Sequence, residues 1–280
     1  MTTQPSDPML SAPIRMVVKQ TGDVRIHTFV ASFAGTNIAN ATHIIESAHS
    51  LVLVDGQFLT PYATQFRAYA DSLGKPIDRL YVSHRHPDHW FGLGAAFGDV
   101  PVHALADTAS FIRDHGKDSV ADHGKLGSLL TDRVVVPTHV VEPGEEVVDG
   151  VRYLLEEVTE TEIDTLLVVK LPELGVQFVA DLVYSGTHLY LTSELTHWME
   201  VLEEMLLSDD ELFLPGHGLP ADKNEVARNI EYLAAADQAI AGGLTGDGFK
   251  DFMLRRYPER LCPGIFDIYL PRLFGGARGY

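Results

Sequence analysis

Cysteine is almost absent from this chain, and basic residues are scarce. A single thiol, Cys262, has no partner for an internal disulfide, which fits a reducing compartment. Lys and Arg number 21 against 39 Asp and Glu, a formal charge of −18, so there are no clustered cations for a phosphate backbone. No apolar run approaches the roughly 18 residues of a membrane span. The first fifteen residues have neither the basic start nor the apolar stretch of a secretory signal. These absences predict a cytoplasmic protein with a small-molecule substrate and neither nucleic acid nor membrane as partner. Repeats, low-complexity runs and composition shifts are also missing. The 280 residues therefore read as one domain, with 1–13 a loose arm and 220–280 a helical C-terminal extension.

Against these absences stands a supply of histidine, thirteen scattered through the chain, of which three fall within six residues. The apolar run Ile77 to Val82 reads as a buried strand, and Ser83-His84-Arg85-His86-Pro87-Asp88-His89-Trp90 follows it directly. In extended chain His84 and His86 project to the same side. Pro87 marks a first helical turn that carries Asp88 and His89. A strand end that aims three imidazoles and a carboxylate at one point suits a metal, whose ligands must be oriented in advance. Further candidates are polar residues that also end apolar runs: Asp55 after Leu51 to Val54, Asp181 after Val176 to Ala180, and His217 between Gly216 and Gly218. Each could equally be a cap or turn former.

The remaining elements are strands at Val24–Val30, Thr42–Ile45, Pro101–Ala104, Val134–Val141, Val151–Val158, Thr165–Leu171 and Leu212–Leu214, with turns at Gly35-Thr36-Asn37 and Pro143-Gly144. Helices are expected over Pro61–Leu73, Asp107–His115, Thr196–Leu207, Asp222–Ile240 and Phe249–Tyr257, with a polar connection at 116–132. Strands in clusters with helices between the clusters favour two mixed sheets flanked by helices, an α/β (α+β) architecture. The aromatic tail, Leu261 to Phe274, would line an apolar pocket or make a homodimer contact.

From about residue 24 to 220 the chain resembles the metallo-β-lactamase superfamily, four-layer αββα hydrolases with one or two metals. Asp55-Gly56 matches that family's first Asp motif, and His84, His86, Asp88 and His89 match its His-x-His-x-Asp-His signature. Asp181 matches its metal-bridging aspartate, and His217, in Pro-Gly-His-Gly, its last histidine. One position departs. Where the family usually places a third histidine of the first metal site, residues 157–165 contain none. Counting back from Asp181 puts Glu162 there, with Glu160 and Asp164 as near alternatives, because one residue of slippage reverses a strand's facing. Alkyl-sulfatase-like members of the family use glutamate near this place. Lactonase members carry a tyrosine three residues after the bridging aspartate, the spacing of Tyr184, which could otherwise be a packed wall residue. His188 lies in the same stretch.

The resemblance implies a dinuclear hydrolase. His84, His86 and Glu162 would hold one divalent ion, Asp88, His89 and His217 the other, with Asp181 between them. Two ions about 3.5–4 Å apart lower the pKa of a shared water toward neutrality. Asp88 would also orient that water, and Asp55 would hold a ligand histidine. Three carboxylates shift the preference toward manganese or iron, whereas the family's habit favours zinc. The expected substrate is a small ester, lactone, thioester or sulfate ester. A mononuclear iron oxygenase or a non-catalytic metal-binding member of the fold is the alternative.

Overall fold

The structure, a computed structural model, describes residues 10–33 and 38–275. The Gly35-Thr36-Asn37 turn and most of the N-terminal arm lie outside the described residues. In chain order the first half comprises β1 (Ile14–Thr21), β2 (Val24–Phe33), β3 (Ile38–Glu46), β4 (Leu51–Val54), α1 (Thr60–Ser72), β5 (Ile77–Val82), the single turns α2 (Pro87–Trp90) and α3 (Leu93–Ala96), β6 (Val102–Ala104), α4 (Ala106–Asp122) and β7 (His139–Val140). The second half comprises β8 (Gly144–Val148), β9 (Val151–Thr159), β10 (Thr165–Leu171), β11 (Val176–Tyr184), α5 (Leu195–Leu207), β12 (Leu212–His217), α6 (Lys223–Ala241), α7 (Gly246–Arg256) and α8 (Ile265–Gly275).

The period-2 alternation of apolar residues explains the layers. In β4, Leu51 and Leu53 face one way and Val52 and Val54 the other, and all four are buried. Leu51 and Leu53, with Leu80 and Val82 of β5, pack against Tyr62 and Phe66 of α1, Trp90 of α2 and Ile112 of α4. Val52, Val54 and Tyr81 instead meet Tyr153 and Leu155 of β9, Leu167 and Val169 of β10 and Phe178 of β11. The opposite face of the second half, including Leu166, Val168 and Leu182, is covered by Trp198 and Leu202 of α5, Tyr232 and Leu233 of α6 and Phe266 of α8. The order is helices, sheet, sheet, helices. Each large apolar side chain buried in these interfaces contributes about 1.5–3 kcal/mol.

The two sheet halves are continuous through β3. This strand pairs with β2 along its length on one side, while on the other its residues 43–46 pair with β4. Asn40, nearer its start, pairs with His217 of β12. A second link reinforces that seam. His43 Nε2 donates to the Pro215 carbonyl at 3.0 Å, and Nδ1 faces Thr28 Oγ1 at 3.1 Å. A carbonyl can only accept, so the neutral ring carries its proton on Nε2 and Nδ1 accepts from the hydroxyl. Burial pushes the His43 imidazolium down to about 4, against weaker opposing effects of Pro215 and Asp55.

Several elements differ from the sequence reading. β1 goes beyond the sequence reading, because its mostly exposed residues, without regular alternation, form an edge strand paired only with β2. Val134 to Val136 lie outside any strand and pack on the core between the sheet and its helices, and Pro137 cannot donate to a ladder, which leaves β7 only two residues long. Gly144 opens strand β8 instead of a turn. The polar stretch after His115 continues α4 to Asp122, followed by a tight turn at 124–129. The tail is a helix, α8.

A pH dependence follows from His43. Its folded pKa lies below the unfolded value of 6.5, so its contribution is full above that value and is lost as pH falls toward about 4. By pH 5 the loss amounts to about 2 kcal/mol. Urea unfolding of the wild type and His43→Gln at pH 7.5 and 5.0 should show a smaller acid loss in the variant. Equal losses in both would remove His43 from the acid response.

Candidate metal centre

The carboxyl ends of β4 and β5 lie side by side in parallel, so Asp55 and Ser83 meet. Asp55 adopts φ 64, an uncommon backbone conformation for a residue with a side chain. Its carboxylate accepts from the Ser83 amide at 2.8 Å and the Ser83 hydroxyl at 2.9 Å. It also accepts from His89 Nδ1 at 2.8 Å. The Ser83 oxygen, having donated its proton, accepts from His84 Nδ1 at 2.9 Å. Both imidazoles are thereby held by Nδ1, with Nε2 directed away from Asp55. This is the arrangement that ligand histidines require.

Two groups of ligand-type side chains meet beyond those nitrogens. His84, His86, Glu162 and Asp181 form one, and Asp88, His89 and His217 the other, each with potential ligand atoms mutually within 4.8 Å. In the first, His86 Nδ1 lies 3.1 Å from Glu162 Oε1, and His84 Nε2 is 3.9 Å from Glu162 Oε2. In the second, His217 Nε2 is 3.1 Å from Asp88 Oδ2, and His89 Nε2 is 3.6 Å from it. Asp181 reaches both groups, at 3.8 Å from His84, 3.5 Å from His89 and 3.2 Å from His217. Gly216 permits this convergence. A Cβ there would collide with Asp181 Oδ1 and stand 2.7 Å from His89 Cε1.

All seven sequence candidates are therefore in one place, and so is Asp55. Of the three carboxylates around residue 162, Glu162 points inward. Glu160 takes a left-handed conformation at φ 53, and the turn closes through Glu160 N to Asp164 O and Thr161 N to Ile163 O. Glu160 and Asp164 face solvent, and Asp164 binds Arg85 at 2.6 Å. His188 lies elsewhere, with Nδ1 against the Tyr232 hydroxyl at 3.0 Å and its ring against Phe266. Tyr184 does belong to the site. Its hydroxyl donates to Asp181 Oδ2 at 3.1 Å, and its ring stacks on His217 at 5.0 Å.

The electrostatics are those of a buried, strongly coupled set. Burial opposes ionisation of Asp88 and Asp181, but His89 and His217 hold both carboxyls below their ordinary range. The same carboxylates overcome burial at His217 and push it up to about 10. Burial drives His84 well down. At Glu162 burial prevails over His86, and the carboxyl is raised. Both Glu162 oxygens, Asp181 Oδ1, His84 Nε2 and His89 Nε2 are buried with no hydrogen-bond partner. Polar atoms left this way are costly. Imidazole nitrogens and carboxylate oxygens converging in one buried cluster are what divalent cations of the first transition row coordinate. The residues fit such ions.

Sequence reasoning missed several residues here. Ser83 was legible in principle, as a hydroxyl at the strand end beside Asp55. A cavity of about 190 Å³ opens over the cluster, walled by Phe58, Tyr184, Tyr190, Ile265 and Ile268, with Arg272 at its edge. No local motif marks Phe58, Tyr190 or Arg272. Their part depends on where α8 packs.

Comparisons with known proteins agree with this geometry. A family model described as the metallo-beta-lactamase superfamily matches residues 35–217. The fold is similar to that of a metallo-beta-lactamase from Pontibacter korlensis, with TM-score 0.64 and 18% identity over 79% of this chain and 99% of that one. It is also similar to FIM-1 from Pseudomonas aeruginosa in its mono-zinc form, with TM-score 0.62 and 19% identity over 82% and 98%. A metallo-beta-lactamase from Hirschia baltica gives 0.59 and 22% over 78% and 97%. No curated protein matches the sequence. With the family model spanning well over half the chain and carrying the His84-to-His217 cluster, the protein belongs to the metallo-beta-lactamase superfamily.

Proposed function

We propose that the protein is a hydrolase of small esters, lactones, thioesters or sulfate esters that works with two divalent cations. The observation that carries this reading is the pair of ligand groups sharing Asp181 beneath one cavity. His84, His86 and Glu162 would hold one cation and Asp88, His89 and His217 the other, with Asp181 common to both. Zinc is the first choice, as in the mono-zinc form of FIM-1, and manganese or iron suit the three carboxylates. Such cations supply a water that ionises near neutral pH and positive charge at the oxygen of the bond under attack.

The chain's own groups do the rest. Asp88 is the most open of the three carboxylates, and it lines the cavity, where it can orient the attacking water as a hydrogen-bond acceptor. Burial, with Asp181 adding to it, pushes the Tyr184 phenol well above its ordinary value, so Tyr184 stays a donor. By turning its one proton from Asp181 to the substrate, a neutral phenol at the cavity wall can stabilise an oxygen that gains charge as the bond breaks. The apolar walls exclude water from the remainder of the substrate, which favours compact acyl groups.

Elemental analysis of the protein purified without added metal should give two divalent ions per chain, and an ester, lactone and sulfate panel should show turnover. One iron per chain with oxygen uptake would sink the hydrolase reading in favour of an oxygenase. Glu162→Gln should bring the metal content to about one ion per chain; a full complement would take Glu162 out of the ligand set. Tyr184→Phe should keep both ions and lose on the order of ten- to hundredfold in kcat. An unchanged kcat would leave the phenol as wall only.

A further inference from the structure

Helix α8 brings a permanent cation to the cavity over the cluster. Ile265, Ile268 and Arg272 line that cavity together. Their spacing of three and four residues puts them on one face of α8, over a length of roughly 10 Å. An adjoining cavity of about 520 Å³ shares His86, Glu162, Tyr190 and Arg272 with the first. The two arginines that border this combined space differ in what they bind. Arg85 is neutralised by Asp164 at 2.6 Å and Asp107 at 3.3 Å. Arg272 Nη1 donates to the Tyr190 hydroxyl at 2.7 Å, and no carboxylate pairs with it among the described residues.

Tyr190 is a fixed platform for that guanidinium. Its ring packs between His86, at 5.3 Å, and Tyr269, at 5.6 Å. Because a guanidinium has no lone pair to offer, the Tyr190 oxygen accepts from Arg272, and the phenolic proton is left for another acceptor. The remaining guanidinium N–H groups and that phenolic O–H make a donor set suited to a carboxylate. Phe58, Ile265 and Ile268 supply apolar wall in the same cavity.

We propose that Arg272, supported by Tyr190, is a specificity-determining site for a carboxylate on the substrate remote from the bond that is cleaved. The substrate is then an ester or thioester of a short dicarboxylic acid, with its free carboxylate at Arg272 and its apolar middle against Phe58, Ile265 and Ile268. This rests on the hydrolase reading above.

The test compares p-nitrophenyl monoesters of adipic acid with p-nitrophenyl hexanoate, a neutral ester of the same length. The wild type should favour the charged ester by about ten- to hundredfold in kcat/KM, mostly through KM. In Arg272→Gln that ratio should collapse toward one, while Arg272→Lys keeps part of it. A wild-type ratio near one, or an Arg272→Gln ratio equal to the wild type's, overturns the proposal. Calorimetric titration of the metal-loaded protein with adipate and with hexanoate separates this site from the chemistry. Adipate should bind the wild type about tenfold more tightly than it binds Arg272→Gln, with no such difference for hexanoate, even if neither ester is hydrolysed. Equal adipate affinities overturn the subsite, whereas absent hydrolysis alone counts against the hydrolase reading.

Discussion

One buried carboxylate orders the rest of the site. Asp55 accepts from the Ser83 amide and hydroxyl and from His89, and through Ser83 it also orients His84. A single residue thus fixes which nitrogen of two imidazoles is free. It can do so because β4 and β5 run in parallel and end together, and because Asp55 takes an uncommon backbone conformation just past the strand. The usual requirement that a ligand histidine donate its other nitrogen to a partner is met twice with one anion.

The second constraint is the seam at β3 and β12. The first half of the chain contributes His84, His86, Asp88 and His89, and the second contributes Glu162, Asp181 and His217. Neither half carries a complete ligand group. They face one another because both sheets turn apolar side chains inward onto a common core. They are aligned by the pairing of Asn40 with His217 and by His43 on the Pro215 carbonyl. Packing, rather than any local preference of the chain, brings Glu162, Asp181 and His217 to His84, His86, Asp88 and His89.

That division explains what the sequence could and could not show. The His84-to-His89 cluster was legible because strand end, turn and ligand types are contiguous. Asp181 and His217 were legible as polar residues closing apolar runs. Glu162 was reached only by counting; the turn that points it inward and leaves Glu160 and Asp164 in solvent hinges on a left-handed Glu160, which has no sequence signature of glycine or asparagine. Tyr190, Phe58 and Arg272 carry no pattern at all, since their roles depend on tertiary contacts of α8 and the loops. Secondary structure failed where local cues conflicted with context. The valine run before Pro137 has high strand preference yet lies outside any strand, and β1 has weak amphipathicity yet pairs along an edge.

The location of His217 at the only backbone pair between β12 and β3 among the described residues has a further consequence. Any ion that binds ligands from both halves binds the closed sandwich in preference to the unfolded chain. By mass action such an ion adds stability that grows with the logarithm of its free concentration, about 2.7 kcal/mol at a hundred times its dissociation constant. The cluster is then a clasp on the fold as well as a site for chemistry. The free metal level around the protein would then set what fraction of the chain stays folded.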